Sequence, residues 1–169
     1  MGILDGKRGL IMGVANEKSA AWGIAAAAAE QGAELAFTYQ MEGFRKRLAP
    51  LAASVGSDFL IPCDVAEETA AADTFTALRA RWDSLDFLVH AIGFSDKSEL
   101  KGPYYNTSRE NFEQTMLISA FSFTEMAAEA RKMMPDGGSL LTLSYLGGVR
   151  TTPNYNVMGV AKAALEAST

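Results

Sequence analysis

The chain has 169 residues, of which 49% are hydrophobic and 21% charged, and its formal net charge is −5. This length and composition are typical of one globular domain with a sizeable core, and they exclude a disordered or fibrous chain. The acidic balance argues against a general nucleic-acid binder, which would need a basic face. We interpret the one dense basic cluster, Arg45-Lys46-Arg47, as a solvated helix face.

The chain contains one cysteine, Cys63, and one histidine, His90. A single cysteine excludes an intramolecular disulfide framework. One cysteine and one histidine are too few for a zinc site, whose ligands usually number three or four, so we expect no metal. We interpret His90 as a packed residue at a strand end rather than as a catalyst. No apolar run is long enough to cross a bilayer and the N-terminus lacks a signal-peptide layout, so we expect a cytoplasmic protein without membrane contact.

Strand and helix patterns alternate along the chain. Strands built of continuous apolar residues, each followed by a helix, indicate a parallel sheet covered on both faces. We therefore predict an α/β fold in which residues 1–169 form one doubly wound, Rossmann-like domain. The predicted strands are RGLIMG (8–13), AELAFTY (33–39), DFLIP (58–62), LDFLVHAIG (85–93) and GSLLTLS (138–144), and the predicted helices cover 19–31, 44–55, 75–82, a long segment within 109–134, and a last segment from 152.

Local signals add detail to these helices. Gly32 is placed to end the first helix, and Thr152 and Pro153 are placed to cap the last one and to fill its first turn. The long segment carries a set of residues at helical spacing, which predicts an amphipathic helix. That set is Phe112, Met116, Ser119, Phe123, Met126, Ala130 and Met133.

The turn after the first strand, MGVANEKSAAWGIA, is the first candidate ligand site, because ligands of such sheets bind beyond the C-terminal strand ends. Gly13 permits a tight turn, and Ser19 stands just before a helix whose N-terminus suits a pyrophosphate. The spacing is not G-x-G-x-x-G. A turn glycine followed by an N-cap serine, with no ligand, would show the same pattern.

Three other strand ends carry candidate cofactor residues. Gln40 closes the second strand, where NAD-binding proteins often have an acidic residue that binds the ribose. No acid stands there, but no adjacent arginine for a 2′-phosphate does either, which favours NADH over NADPH. Asp64 and Val65 follow the third strand, and the carboxylate suits an adenine amino group, although Asp64 with Glu67 also fits a capping box. The segment HAIG (90–93) ends the fourth strand with a glycine that lets the backbone approach a nicotinamide ribose.

The segment YNVMGVAK places Tyr155 and Lys162 seven residues apart. On one helix they would project within about 20° of the same face and about 10 Å apart along its axis. We expect Lys162 to reach back toward the site of Tyr155 and to lower the pKa of the phenol. Such a pair suits a proton donor beside a hydride carrier, whereas an interfacial tyrosine and a surface lysine would share the spacing.

Five segments together closely resemble bacterial enoyl-[acyl-carrier-protein] reductases, a branch of the short-chain dehydrogenase/reductase superfamily. They are GVANEKSAAWGIA, AELAFTYQ, CDVAEE, HAIGFSDK and LTLSYLGGVRTTPNYNVMGVAKAALEA. Ordinary members of the superfamily have Tyr-x3-Lys and a Gly-x3-Gly-x-Gly turn. This chain has Tyr-x6-Lys with Met158 between, and a serine-containing turn, which are marks of the reductase branch.

The resemblance implies NADH-dependent reduction of the trans-2 double bond of an enoyl thioester on acyl-carrier protein, in bacterial fatty-acid elongation. It implies that Tyr155 hydrogen-bonds the enolate oxygen, that Lys162 holds the nicotinamide ribose, and that Tyr145 lines the acyl pocket. It also implies a homotetramer with contacts from the long helices 109–134 and 154 onward. The dinucleotide contacts carried over by motif are Gly13, Ser19, Ala20, Gln40, Asp64, Val65, Ile92 and Lys162.

Members of that family continue well past the position of Thr169, with two more strands and a mobile substrate-binding segment. The resemblance therefore implies seven strands, of which this chain supplies five, and we expect a fragment with one uncovered sheet edge and an exposed apolar face. Two alternatives stay open. One is an inactive remnant that binds NAD weakly, and the other is an ordinary short-chain dehydrogenase acting on a hydroxyl or carbonyl, which Tyr-x6-Lys disfavours.

Overall fold

The computed structural model describes residues 2–169, in which strands and helices alternate. The strands are β1 Arg8–Met12, β2 Glu34–Tyr39, β3 Leu60–Pro62, β4 Phe87–His90 and β5 Ser139–Thr142. The helices are α1 Ala20–Glu30, α2 Glu42–Ser54, α3 Ala70–Arg79, α4 Arg109–Met116, α5 Ser122–Ala130 and α6 Asn156–Ala167. A π-helical turn, Leu117–Phe121, joins α4 to α5, and 3-10 turns cover Tyr104–Asn106, Arg131–Met133 and Leu146–Gly148. Each predicted strand is found, and each is shorter than its apolar run.

The strands form one parallel sheet in the order β3-β2-β1-β4-β5. Leu10 of β1 pairs with Ala36 of β2 on one side and with Leu88 of β4 on the other. The chain runs outward from β1 to β3 and then returns to β4 on the opposite side of β1. This reversal of strand order defines the ligand-binding edge of doubly wound sheets, and the predicted Rossmann-like fold class is confirmed.

The chain clusters into two compact units. The first, here called the sheet unit, comprises the residues up to Ala91 together with Ala127–Thr142, and it contains the whole sheet. The second, the helical unit, comprises Ile92–Met126 and Leu143–Thr169. That residues 1–169 make up one domain stays a prediction.

Small residues allow α1 and α2 to pack closely on one face of the sheet unit. The buried cluster there consists of alanines and one leucine of the helices against apolar residues in or just after the strands: Ala21, Ala25, Ala28, Leu48 and Ala52 with Ile11, Val14, Leu35, Phe37 and Val89. Residues that alternate with these along the strands, among them Leu10, Met12 and Leu88, are also fully buried. The central strands are therefore buried on both faces, as their unbroken apolar sequences predict. Arg45, Lys46 and Arg47 lie exposed on α2, as predicted.

Strand β5 differs from the central strands. Among the described residues 2–169 it is the last strand of the sheet, and its one neighbour there is β4. Leu140 and Leu141, which point to opposite faces, are 39% and 41% exposed. The expected open edge and exposed apolar residues are therefore found at β5.

The helical unit is built around α6. A buried cluster joins Leu165 of α6 to Ala120 of the π turn and to Phe123 of α5. Along α6 the buried residues are Val157, Met158, Ala161, Lys162 and Leu165. One face of this helix is thus apolar apart from a single lysine. None of the helices described for residues 2–169 is both long and apolar enough to cross a membrane.

The buried face of α4 is not the one that the apolar spacing predicts. Phe112 is 39% exposed, whereas the polar residues Asn111 and Thr115 are 4% and 0% exposed. The reason is that these polar side chains hydrogen-bond the segment at residues 95–96, so each of them is buried together with a hydrogen-bond partner. From Phe123 onward the predicted apolar face is buried, as expected.

The helix ends confirm one prediction and correct two. Gly32 has φ +91° and ends α1, with the Ala33 N–H donating to Ala28 O in a Schellman motif. Thr152 and Pro153 do not start the last helix, because Asn154 has φ +59° and α6 begins at Asn156. The capping box of Asp64 with Glu67 is also wrong, since α3 begins only at Ala70.

The difference between β4 and β5 gives a stability prediction. We expect Leu88→Ala to lower the free energy of unfolding by about 3 kcal/mol, because the side chain is fully buried. Leu140→Ala should lower it by less than about 1 kcal/mol, because the side chain is 39% exposed. Urea denaturation of both variants measures the difference, and equal losses would contradict an exposed β5.

Candidate nucleotide and active-site residues

The turn from β1 to α1 requires glycine at position 13. Gly13 has φ +93°, and a methyl group built on its Cα would lie 2.0 Å from the carbonyl oxygen of Ala91. Any other residue would have to push the end of β1 away from the segment after β4. Gly13 therefore makes a tight turn at the switch point of the sheet, as predicted.

Ser19 immediately precedes α1, but its hydroxyl serves the loop instead of the helix. The Ser19 Oγ accepts hydrogen bonds from the N–H groups of Ala15 at 3.0 Å and Asn16 at 3.1 Å, and makes no capping bond to α1. Ala20 is exposed at the start of the helix, and the first turn carries no acidic residue. This helix N-terminus therefore keeps the partial positive charge that attracts an anion.

Gln40 and Asp64, the candidate residues after β2 and β3, contact each other. Gln40 Nε2 donates to Asp64 Oδ2 at 2.9 Å, and Asp64 Oδ1 accepts from the Ala66 N–H at 3.1 Å. An acid at position 40 would repel this carboxylate, whereas the amide of glutamine binds it. Val65, beside Asp64, is 7% exposed. The two strand ends thus form one polar pair that the sequence pattern did not predict.

Tyr145 and Tyr155 form an aromatic pair in the helical unit. Their ring centroids are 4.8 Å apart, and the ring planes are inclined by 53°. A methyl group on Gly147 would lie 2.2 Å from Cδ1 of Tyr155, so a glycine is required beside this ring. Sequence reasoning missed Gly147, although the doublet Gly147-Gly148 between the two tyrosines was an available signal.

Tyr155 lies just before α6, so it does not share a regular helix with Lys162. Asn154 and Asn156, on either side of it, have positive φ angles of 59° and 33°. The Asn156 side chain donates to the carbonyl oxygens of Glu99 at 3.2 Å and Gly102 at 3.1 Å. The prediction of one continuous helical face is wrong at its first residue, because left-handed backbone interrupts the 100° repeat.

The pKa of Tyr155 is raised above its ordinary value, first by burial and then by the neighbouring Tyr145. The expected lowering of this pKa by Lys162 is therefore wrong for this structure. Burial favours the neutral phenol. Tyr155 is a protonated hydrogen-bond donor at neutral pH.

Lys162 is 8% exposed, and its Nζ donates to the carbonyl oxygen of Leu143 at 2.8 Å. Burial lowers the pKa of its ammonium group. A methyl group on Gly93 would lie 3.7 Å from Lys162 Nζ and 3.8 Å from Ser119 Oγ. The structure thus places Lys162 beside the segment of Ile92 and Gly93. It also brings Ser119 to this point, which the sequence analysis placed on the amphipathic helix face and not in the site.

His90 is fully buried at the end of β4, where the Thr142 hydroxyl donates to its carbonyl oxygen at 3.0 Å. The interpretation of His90 as a packed residue is confirmed. Strand order, the Gly13 turn and the polar strand ends together define a Rossmann-like fold with a nucleotide-type turn.

Comparison with known proteins identifies the family. A family model described as Enoyl-(Acyl carrier protein) reductase matches residues 13–169. The enoyl-[acyl-carrier-protein] reductase [NADH] 2 of Rhizobium meliloti is 63% identical over 99% of this chain, which covers 62% of that protein. The corresponding Escherichia coli enzyme is 49% identical over 99% of this chain and 64% of its own length. The chain belongs to the enoyl-(acyl carrier protein) reductase family.

Solved structures agree with this assignment. The crystal structure of FabI from Candidatus Liberibacter asiaticus superposes with a TM-score of 0.98 at 58% identity, over 100% of this chain and 66% of that one. The Anaplasma phagocytophilum reductase, crystallised in complex with NAD, gives a TM-score of 0.95 at 54% identity, over 99% and 65%. The chain thus spans just under two thirds of the length of these relatives.

The Gly13 turn gives a prediction with a matched control. Gly13→Ala should lower the free energy of unfolding by about 2 kcal/mol or more, because the new methyl meets the Ala91 carbonyl. Gly23→Ala should raise it by about 0.5 kcal/mol, since Gly23 is an exposed helix residue of α1 with open space around it. Thermal and urea unfolding compare them, and equal effects would refute the close approach at Gly13.

Lys162 gives a pH-dependent prediction. Burial lowers its pKa below the ordinary 10.5, so at pH values between the two the unfolded chain binds more protons. The free energy of unfolding of the wild type therefore rises with pH through this interval. In Lys162→Met the side chain at position 162 does not titrate, so this contribution is absent and the wild type becomes more stable relative to the variant. We expect the difference in free energy of unfolding to shift toward the wild type as the pH rises toward 10.5, the ordinary pKa of the group. Urea denaturation of both proteins at a series of pH values measures this difference in free energy of unfolding. A difference that does not change with pH would contradict a buried ammonium at Lys162.

Proposed function

We propose that this chain forms the cofactor-binding and catalytic-tyrosine portion of an NADH-dependent enoyl-[acyl-carrier-protein] reductase. The reaction is reduction of the trans-2 double bond of an enoyl thioester in bacterial fatty-acid elongation. The observation that carries the proposal is the joint placement of a protonated Tyr155 against Tyr145 and of a buried Lys162 beside Gly93, in a chain of this family. The family assignment favours this reaction over that of an ordinary alcohol dehydrogenase.

The residues of the sheet unit fit a dinucleotide. The Gly13 turn leaves no room for a side chain, and the start of α1 offers N–H groups without a nearby acid in its first turn. We assign Gly13, Ser19 and Ala20 to the pyrophosphate. Asp64 and Val65 are assigned to the adenine.

Gln40 supports NADH over NADPH as the cofactor. Its amide is bonded to the Asp64 carboxylate, so a 2′-phosphate placed here would approach a negative charge with no adjacent arginine to compensate. A ribose 2′-hydroxyl, which can donate a hydrogen bond to a carboxylate or amide oxygen, suits this pair better. The name of the Rhizobium meliloti relative, which specifies NADH, agrees.

The helical unit supplies the chemistry of the substrate. NADH, when bound, supplies a hydride to the β-carbon of the enoyl group. Tyr155, whose phenol is protonated at neutral pH, donates a hydrogen bond to the enolate oxygen of the thioester. Protonation of the enolate at its α-carbon then completes the reduction. Tyr145 packs against the Tyr155 ring and lines the acyl pocket.

Lys162 and Ile92 are assigned to the nicotinamide ribose. The ammonium of Lys162 has three N–H donors, one of which is directed at Leu143 O. The other donors suit the two ribose hydroxyls. Ile92, half-buried next to Gly93, supplies apolar contact at the same point.

Acyl-carrier protein bearing the substrate, a homotetrameric assembly and a cytoplasmic location belong to the same proposal. Exposed apolar residues on the segment from α4 to α5 support subunit contacts. Phe112, Leu117 and Phe121 are 39%, 36% and 53% exposed. Apolar side chains repeated along one helical segment are typical of an interface.

The proposal is tested first by cofactor binding and then by turnover. We expect the purified 169-residue chain to bind NADH saturably, and we expect any oxidation of NADH on addition of crotonyl-CoA to depend on Tyr155. Tyr155→Phe should reduce turnover by about 100-fold or more with little change in NADH affinity, because only the enolate hydrogen bond is lost. Lys162→Met should weaken NADH binding by about tenfold.

The outcomes separate the parts of the proposal. A folded chain without NADH binding would contradict the cofactor assignment. NADH binding without crotonyl-CoA-dependent oxidation would mark this chain as an incomplete catalyst, whereas oxidation that Tyr155→Phe leaves unchanged would contradict the catalytic assignment. Reduction of NAD by an alcohol, abolished in Tyr155→Phe, would replace the reductase with an ordinary short-chain dehydrogenase.

A further inference from the structure

Ser119 holds the backbone of Phe94 with both of its hydrogen-bonding functions. Its hydroxyl donates to the Phe94 carbonyl oxygen at 2.9 Å and accepts from the Phe94 N–H, also at 2.9 Å. The residue is 0% exposed. A buried hydroxyl in this arrangement is fully paired, and it fixes the peptide groups on both sides of Phe94.

Two further polar residues of α4 continue the same pattern toward its N-terminus. The Thr115 hydroxyl donates to Ser95 Oγ at 2.9 Å, and Asn111 Oδ1 accepts from the Asp96 N–H at 2.9 Å. Three helical residues spaced four apart, Asn111, Thr115 and Ser119, thus bind three successive residues of the segment after β4, namely Asp96, Ser95 and Phe94. We call this arrangement the polar ladder.

The π turn lies at the end of the ladder nearest the proposed nicotinamide site. Ser119 is the central residue of Leu117–Phe121, the π-helical turn between α4 and α5. Such a turn inserts one extra residue into the helix, and π turns are frequent at functional sites. Since Ser119 is wholly buried, the local irregularity does not expose it and instead sets where its hydroxyl points.

The segment held by the ladder adjoins Gly93 and Lys162. A methyl group on Gly93 would meet Ser119 Oγ at 3.8 Å on one side and Lys162 Nζ at 3.7 Å on the other. Gly93 is itself exposed. The backbone at this point is therefore accessible to a ligand, while the residue that follows it, Phe94, is locked by two hydrogen bonds.

We propose that the polar ladder is a positioning device that fixes Ile92 and Gly93 for the nicotinamide end of NADH, and that Ser119 is its principal positioning residue. The inference rests on the proposed function. Loops carry high conformational freedom, and binding to a mobile loop loses affinity because the loop must be ordered by the ligand. The ladder orders this segment in advance through side chains that do not touch the ligand.

The test compares Ser119→Ala with Ser122→Ala in the 169-residue chain. Ser122 is a matched control, because it is 1% exposed, lies three residues further along and donates to Ile118 O in the preceding π turn. Affinities for NADH and for ADP are measured by calorimetry. ADP shares the adenosine and pyrophosphate but lacks the nicotinamide and its ribose.

We expect Ser119→Ala to weaken NADH binding by about tenfold and ADP binding by less than about twofold. Amide hydrogen exchange at residues 94–96 should accelerate in the same variant, because the Phe94 N–H loses its acceptor. Ser122→Ala should leave both affinities and the exchange at residues 94–96 near wild-type values. Thr115→Val, which removes the middle contact without changing side-chain shape, should weaken NADH binding in the same direction.

Other results overturn the inference. Equal losses of NADH and ADP affinity, or the same loss in Ser122→Ala, would make Ser119 a merely structural residue. If Ser119→Ala and Thr115→Val both bind NADH and ADP with wild-type affinity, the polar ladder does not position the nicotinamide segment. The proposed function would be unaffected by that result. A folded wild-type chain that binds neither ligand would refute the proposed function itself, and this inference with it.

Discussion

The buried ammonium of Lys162 is the constraint around which the helical unit is arranged. A charge removed from water is unfavourable unless protein groups replace its hydration, and one carbonyl, that of Leu143, does so here at 2.8 Å. Gly93 leaves space beside the ammonium, and Ser119 holds the backbone that borders this space. The helical unit therefore holds the Lys162 ammonium in an unfavourable environment where the hydroxyl oxygens of a ligand would be strongly bound. Such unfavourably placed charged groups are typical of functional sites.

The backbone around Tyr155 is also unfavourable for stability, and it also fixes the position of a site residue. Its two neighbours, Asn154 and Asn156, adopt positive φ, which non-glycine residues rarely do, although asparagine tolerates it best. Asn156 offsets the strain by donating to the carbonyl oxygens of Glu99 and Gly102. Strained backbone that surrounding contacts hold in place is concentrated at functional sites. The result is a phenol presented from outside the helix, which is protonated at neutral pH and able to donate a hydrogen bond.

The fold was predictable from the sequence because continuous apolar strands and helix-ending residues such as Gly32 act locally. The site was predictable in composition but not in geometry. Spacing placed Tyr155 and Lys162 on one helix, since periodicity carries no information about the left-handed turn at Asn156. The apolar pattern likewise put Phe112 in the core, because the polar face of α4 is buried only through partners more than a dozen residues away.

The contact between Gln40 and Asp64 has a consequence for how cofactor preference could evolve. An arginine at position 40, the obvious route to recognition of a 2′-phosphate, would lie within reach of the Asp64 carboxylate and be neutralised by it. Recognition of a 2′-phosphate would then need substitutions at both position 40 and position 64, which lie after different strands. Because of this 2.9 Å hydrogen bond, a substitution at position 40 alone would not create a free positive charge for a 2′-phosphate.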